Sequence, residues 1–137
     1  MNKTVENLIA ASGITPAALE TVSRMPGCFA RDIALSLLGR GDLRFTNNTI
    51  LNHAGWEVGR HGFNELGAYI FSEQFDSDCS WGWGDNGIKI NKGVTKAFTC
   101  RWHWIEVSPD GVVVDADPHY GEPECGFWQG TTITDGQ

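Results

Sequence analysis

No apolar run in the chain approaches the roughly 18 residues that a membrane-spanning helix needs, which excludes a helical anchor. A basic segment followed by an apolar stretch is missing from Met1 to Glu6, so no cleaved secretion signal is expected. Cysteine is scarce, with four in 137 residues, and none lies in a Cys-x-x-Cys pair. That argues against a disulfide scaffold and against the commonest zinc-ligand spacing. Reduced thiols are the expectation, in a protein that is cytoplasmic or exported without a cleaved signal peptide. Basic residues are few, 10 against 17 acidic, giving a formal charge of −7. Nucleic-acid binding rests on neutralising phosphates and wants the opposite sign. Glutamine is absent before Gln74.

What is present is a globular composition, 41% apolar and 20% charged, in a length that suits one compact domain over residues 1–137. A chain of this size buries about two-thirds of its unfolded surface and can fold alone. The first 40 residues carry Ala, Leu and Ile at helical spacing, whereas five of the six tryptophans follow residue 80. Helices first and strands afterwards is an α+β order, with N-terminal helices packed on a small antiparallel sheet.

Thr4 caps a first helix with Val5, Leu8 and Ile9 on one face, stopped by Gly13. Thr15-Pro16 starts a second helix, through Ala18, Val22 and Met25 to Pro26-Gly27. A third opens at Cys28 and repeats Phe29, Ala30, Ile33, Ala34 and Leu37 at the helical period, ending at Gly39 and Gly41. The spacing of Ile50, Leu51 and Trp56 predicts a short helix within 47–60, and that of Leu66, Tyr69, Ile70 and Phe75 another over 64–75. Residues 76–86 read as a loop, and 87–94 as a short strand. Residues 97–107 read as one strand, joined by the turn Ser108-Pro109-Asp110-Gly111 to a partner at 112–117. A three-residue hairpin loop would pair Ser108 with Val112, and hence Ile105 with Asp115 and His103 with Asp117. In a continuous strand Phe98, Cys100, Trp102 and Trp104 share one face. Thr99, Arg101, His103, Ile105 and Val107 share the other, the side that meets the Cys28 helix.

Cys28, His103 and Asp117 carry the chemistry of this pattern. A thiol at a helix N-terminus sits near the positive end of the dipole, which favours the thiolate. The free N–H groups there also suit the oxyanion formed when a carbonyl is attacked. His103 would take the thiol proton, and Asp117 would orient the imidazole. Taken singly, each has an ordinary alternative: a core thiol, a structural histidine, a turn aspartate. Order and spacing favour the joint reading. Trp81 and Trp83 sit among glycines and suit an aromatic rim that binds substrate together with Trp104, although tryptophans also simply fill cores.

The arrangement resembles the papain-like cysteine hydrolase superfamily, especially its small papain-fold toxin and deamidase group. Cys28-Phe29-Ala30-Arg31-Asp32-Ile33-Ala34-Leu35 through Gly39-Arg40-Gly41 is similar to the group's nucleophile helix. His103-Trp104-Ile105-Glu106-Val107 resembles its histidine strand, and Asp110-Gly111 through Asp117-Pro118 its aspartate segment. Asp117-Pro118-His119-Tyr120-Gly121 has His where the group commonly has Gln. The match covers about a third of the chain. The resemblance implies a papain-like fold and a thiol-dependent amidohydrolase (a cysteine peptidase, isopeptidase or glutamine deamidase) acting on a protein or peptide amide without a cofactor. The group's upstream oxyanion glutamine has no counterpart, which leaves a backbone N–H, Asn47 or Asn48 for that role. Asp115 competes with Asp117 as orienter.

Two other readings use the same residues. Cys79, Cys100, His103, His119 and Cys125 could supply zinc ligands, but Cys100 and His103 would point to opposite faces of one strand, so no metal site is expected. Residues 7–25 faintly suggest a helix-turn-helix but offer only Arg24 as a cation on the second helix. A different class remains: a non-catalytic acidic interaction or inhibitor protein that covers a basic surface, with Glu73, Asp76 and Asp78 as exposed acids.

Overall fold

The computed structural model describes residues 3–25, 29–73, 86–100 and 103–116. Three helices come first: α1 (Lys3–Ser12), α2 (Pro16–Val22) and α3 (Phe29–Leu37). Eight strands follow: β1 (Arg44–Phe45), β2 (Thr49–Leu51), β3 (Glu57–Phe63), β4 (Tyr69–Glu73), β5 (Gly87–Asn91), β6 (Val94–Cys100), β7 (His103–Val107) and β8 (Val113–Ala116). The class is α+β.

The helices form on the apolar faces and breakers read from their sequences, except that α1 begins at Lys3, so Thr4 lies inside it and is not its cap. Val5 and Leu8 of α1 are buried, and the helix stops where Gly13 adopts φ +81° and returns its N–H to the Ile9 carbonyl. Thr15 caps α2 by accepting the Ala18 N–H at 3.1 Å, with Pro16 in the first turn. Phe29, Ala30, Ile33, Ala34 and Leu37 of α3 are all buried.

The strands pair in chain order, each antiparallel to the next, as an eight-stranded meander. Buried side chains run across it in rows: Tyr69, Ile90, Thr95 and Val107 in one, Phe71, Ile88, Ala97 and Ile105 in the next. α3 lies over β4, β5 and β6, and the rows join the helices in one apolar cluster. Each large side chain fully buried there stabilises by roughly 1.5–3 kcal/mol. Among the described residues no helix is long and apolar enough to cross a membrane.

Four expectations are corrected. Residues 47–60 hold β2 and most of β3, not a helix: Trp56, which completes the helical spacing, is 72% exposed just before β3. Residues 64–75 hold β4 after a turn at Asn64–Gly67, and Leu66, the first residue of the supposed apolar stripe, is 84% exposed. Residues 97–107 are not one strand, since β6 ends and β7 begins within them and Cys100 pairs with His103. The two-face sorting survives in part, because Phe98 faces Trp104 across that pairing while Ala97 faces Ile105 in the core. Ser108 does bond Val112, but an irregularity between Glu106 and Val107 sets Ile105 opposite Ala116 rather than Asp115, which removes the register from which His103 was expected opposite Asp117.

Candidate functional site

Antiparallel pairing fixes which strand ends meet. Ser72 lies opposite Gly87, Gly87 opposite Phe98, Phe98 opposite Trp104, and Ile105 opposite Ala116. The last residue of β4, the first of β5, the last of β6, the first of β7 and the last of β8 therefore share one end of the sheet.

The N-terminal turn of α3 sits at this same end. The Ala30 N–H donates to Oδ1 of Asn86, the residue before β5, at 3.3 Å. Asn86 is held in turn by its carbonyl, which accepts the Glu73 N–H at 2.8 Å. Asp32, in the first turn of α3, is raised above the ordinary carboxylate range by burial, with the Arg31 charge opposing. Burial raises Glu73 as well, and the negative charge of Asp32 raises it further. Phe29 packs over Gly59 of β3: a Cβ at Gly59 would come within 3.1 Å of its ring and 2.4 Å of the Ser72 carbonyl. Glycine there lets the helix end come down onto the sheet.

Beside α3 opens a hollow of about 450 Å³, lined by Asp32, Ser36, Arg40, Asp42 and His53 among others. A volume of that size accommodates a side chain or a short peptide segment. Arg40 is engaged at its rim by Glu20, in a two-contact ion pair at 2.6 and 3.0 Å.

His103 is the first residue of β7, two positions before the buried Ile105, at the end of the sheet where α3 begins. Cys28 directly precedes α3, and Asp117 directly follows β8; both lie outside the described residues, as do Trp81, Trp83, Asp76, Asp78, Cys79, His119 and Cys125. Trp104 is half-buried with the Lys96 ammonium 4.6 Å from its ring centroid, and it pairs with Phe98 rather than with the row under the helices. Asp115 is exposed, lies opposite Glu106, and accepts the Ala116 N–H at 2.9 Å. Asn47 and Asn48 fall in the exposed β1–β2 turn, five strands from β7, and not at the start of α3. Glu73 is a half-buried strand residue and not the exposed loop acid its neighbours in sequence suggested.

Asn86, Asp32 and Glu73 belong to this end, and the sequence alone did not single them out for it. The Asn86 contact spans 56 residues, and such a contact has no local signature. His61 is a further titratable group without a local signal in the sequence. It is 2% exposed, stacked on Phe71 and Tyr69, and bonded at both ring nitrogens. The Thr46 carbonyl only accepts, so Nε2 carries the proton and donates to it at 2.6 Å. Nδ1 then accepts from the Tyr69 hydroxyl at 2.8 Å. Burial holds this imidazole below its ordinary pKa. It is a satisfied structural histidine. Among the described residues no group of three or more His, Cys, Asp or Glu is arranged to hold a metal ion. Comparison of the chain with protein-family models, with curated proteins and with solved structures found no match.

Proposed function

We propose that the protein is a thiol-dependent amidohydrolase with Cys28 as nucleophile, His103 as general base and then acid, and Asp117 as the residue that orients the imidazole. The observation that carries this is the meeting, at one end of the sheet, of three chain positions: the first turn of α3, the first residue of β7 and the last residue of β8. An antiparallel meander under a helix is also the kind of scaffold that the papain-like resemblance implies.

In the reaction, His103 takes the Cys28 proton and the thiolate attacks a protein or peptide amide carbon. Negative charge gathers on the carbonyl oxygen, and N–H groups at the start of α3 are suited to receive it. The C–N bond breaks as His103 protonates the departing nitrogen, leaving an acyl-enzyme. Water, deprotonated by the same imidazole, then releases the acid and regenerates the thiol. The 450 Å³ hollow beside α3 and an aromatic rim of Trp81 and Trp83 would hold the substrate.

Brief iodoacetamide labelling at neutral pH, read by mass spectrometry, is the test. Cys28 should label well ahead of Cys79, Cys100 and Cys125. Cys28→Ala and His103→Ala should each abolish the biological effect while the thermal midpoint moves by only a few degrees, and Asp117→Ala should be milder. Equal labelling of all four thiols, with Cys28→Ala fully active, would replace this reading by that of an acidic interaction protein.

A further inference from the structure

We propose that the face of the sheet turned away from the helices is a docking surface for a short acidic segment of a partner protein, received by Lys89, Lys92 and Lys96. This surface goes beyond the thiol reading and does not depend on it.

Alternation along the strands defines the face. Ile88, Ile90, Ala97, Ile105 and Val107 join the helices in the core, so Lys89, Lys96 and Glu106, which alternate with them, stand on the opposite side. Lys89 pairs with Lys96, Lys96 with Glu106, and Glu106 with Asp115. One row therefore crosses four adjacent strands, carrying two cations and then two anions. A hollow of about 400 Å³ opens on it, lined by Lys89, Lys92, Lys96, Glu106 and the exposed Val94 and Val114 among others.

Folding alone would not choose this order of charges. Alternating signs would attract at every step, whereas here Lys89 faces Lys96 and Glu106 faces Asp115, and like charges directly opposite are destabilising. Lys92 adds a third cation at φ +53°, in a hairpin turn that ordinarily takes Asn or Gly, so its charge is carried against backbone strain. Among the described residues none of the three lysines forms an ion pair. Lys96 lies over the Trp104 ring instead, 4.6 Å from its centroid, which holds its ammonium on this face. Three of the chain's ten basic residues thus collect on one hairpin of a protein whose formal charge is −7.

Charge complementarity names the occupant. Carboxylates of an acidic segment would pair with the three lysines, and an aliphatic side chain between them would cover Val94 and Val114. A hollow of this size takes a few residues. Neighbouring strands lie about 4.8 Å apart, so the cationic part of the row ends within one strand spacing of Glu106. A nucleic-acid backbone carries phosphate without interruption and would run onto Glu106 and Asp115, whereas a peptide can present a few acids and stop.

Fluorescence anisotropy on the full-length protein decides the matter, with a labelled Glu-Glu-Val-Glu peptide as one probe and an oligothymidylate of equal charge as the other. The wild type should bind the peptide at low ionic strength and lose most of that affinity at physiological salt, where exposed charges are screened beyond ~8 Å. Lys89→Gln and Lys92→Gln in one chain should weaken peptide binding about tenfold, the effect of losing two exposed ion pairs. That variant keeps the Lys96–Trp104 contact and removes a like-charge pair, so its thermal midpoint should not fall. Peptide binding left unchanged by the double substitution, or no binding by the wild type at low salt, overturns the assignment. An oligothymidylate bound as tightly as the peptide also overturns it and makes the surface a phosphate site. None of these outcomes touches the labelling of Cys28, which tests the thiol reading separately.

Discussion

The two ends of the sheet are built to different standards. At the end away from the start of α3, connections are short and closed. The β5–β6 hairpin turns on Lys92 and Gly93, both at positive φ, between the paired residues Asn91 and Val94. The β7–β8 turn is clamped by α2, where the Thr15 hydroxyl donates to the Pro109 carbonyl and the Thr21 hydroxyl to that of Gly111. His61, whose Tyr69 partner lies toward this end, has both ring nitrogens engaged. At the other end stand two carboxyls raised by burial, Glu73 further by the Asp32 charge, and a helix whose first turn is capped from the sheet by a 3.3 Å bond of the Ala30 N–H to Asn86. One end minimises unsatisfied chemistry and the other accumulates it. Such accumulation is what perturbed groups at functional sites look like, although structural clusters also produce it.

The largest effect expected from breaking this contrast is at Gly111. Its φ is +87°, and a Cβ would lie 2.6 Å from the Ala17 carbonyl of α2. Gly111→Ala should cost roughly 2–4 kcal/mol, combining backbone strain with a collision against main chain. Chemical denaturation measures it, and in the folded fraction the labelling order of the four cysteines should stay as in the wild type. If the thiol pattern changed with it, the two ends would not be independent.

Thr15→Ala should come next. It removes both the N-cap of α2 and the hydroxyl donated to Pro109, for a loss of about 1–2 kcal/mol. Thr15→Ser keeps both bonds and should restore most of it in the same denaturation experiment.

The smallest effects are in pH dependence, and the two ends should differ in sign. His61 is depressed in the fold, so its contribution is full above the unfolded value near 6.5 and is lost as pH falls through the lower folded value. Glu73 is raised in the fold, so its contribution is full below 4.5 and is lost as pH rises through the folded value. Glu73→Gln should therefore raise the thermal midpoint slightly at pH 7 and leave it unchanged below pH 4.5. A variant less stable than wild type at pH 7 would show that the Glu73 charge is compensated and not penalised.

How far the sequence revealed this arrangement depended on where side chains pack. The three helices were legible because their apolar faces match the helical period and because Thr15-Pro16 and Gly13 are local signals. β4 was not, since Tyr69, Ile70, Phe71 and Ser72 are all buried, and a strand buried on both faces shows no alternation. Exposed Trp56 and Leu66 then completed false helical stripes. The break between β6 and β7 was hidden because residues 99–104, Thr-Cys-Arg-Trp-His-Trp, contain no Gly, Pro, Asn or Asp to mark a turn. Of the candidate site, His103 and the α3 turn were readable from local pattern. Asn86 was not, since nothing at residues 85–87 points to a helix 56 residues earlier.

The chain-order pairing of the eight strands also has a consequence for how the molecule assembles. Every strand finds its partner in the segment just synthesised, so the sheet can zip hairpin by hairpin with small loop-closure entropy at each step. Low mean sequence separation of this kind favours rapid folding for a β-rich protein. Among the long-range contacts that depart from this order, the hydroxyl bonds from α2 to the β7–β8 turn join residues 94 and 90 positions apart. They can form only when the final hairpin exists, so the docking of α2 should report the end of folding, and variants at Thr15 or Thr21 should speed unfolding far more than they slow refolding.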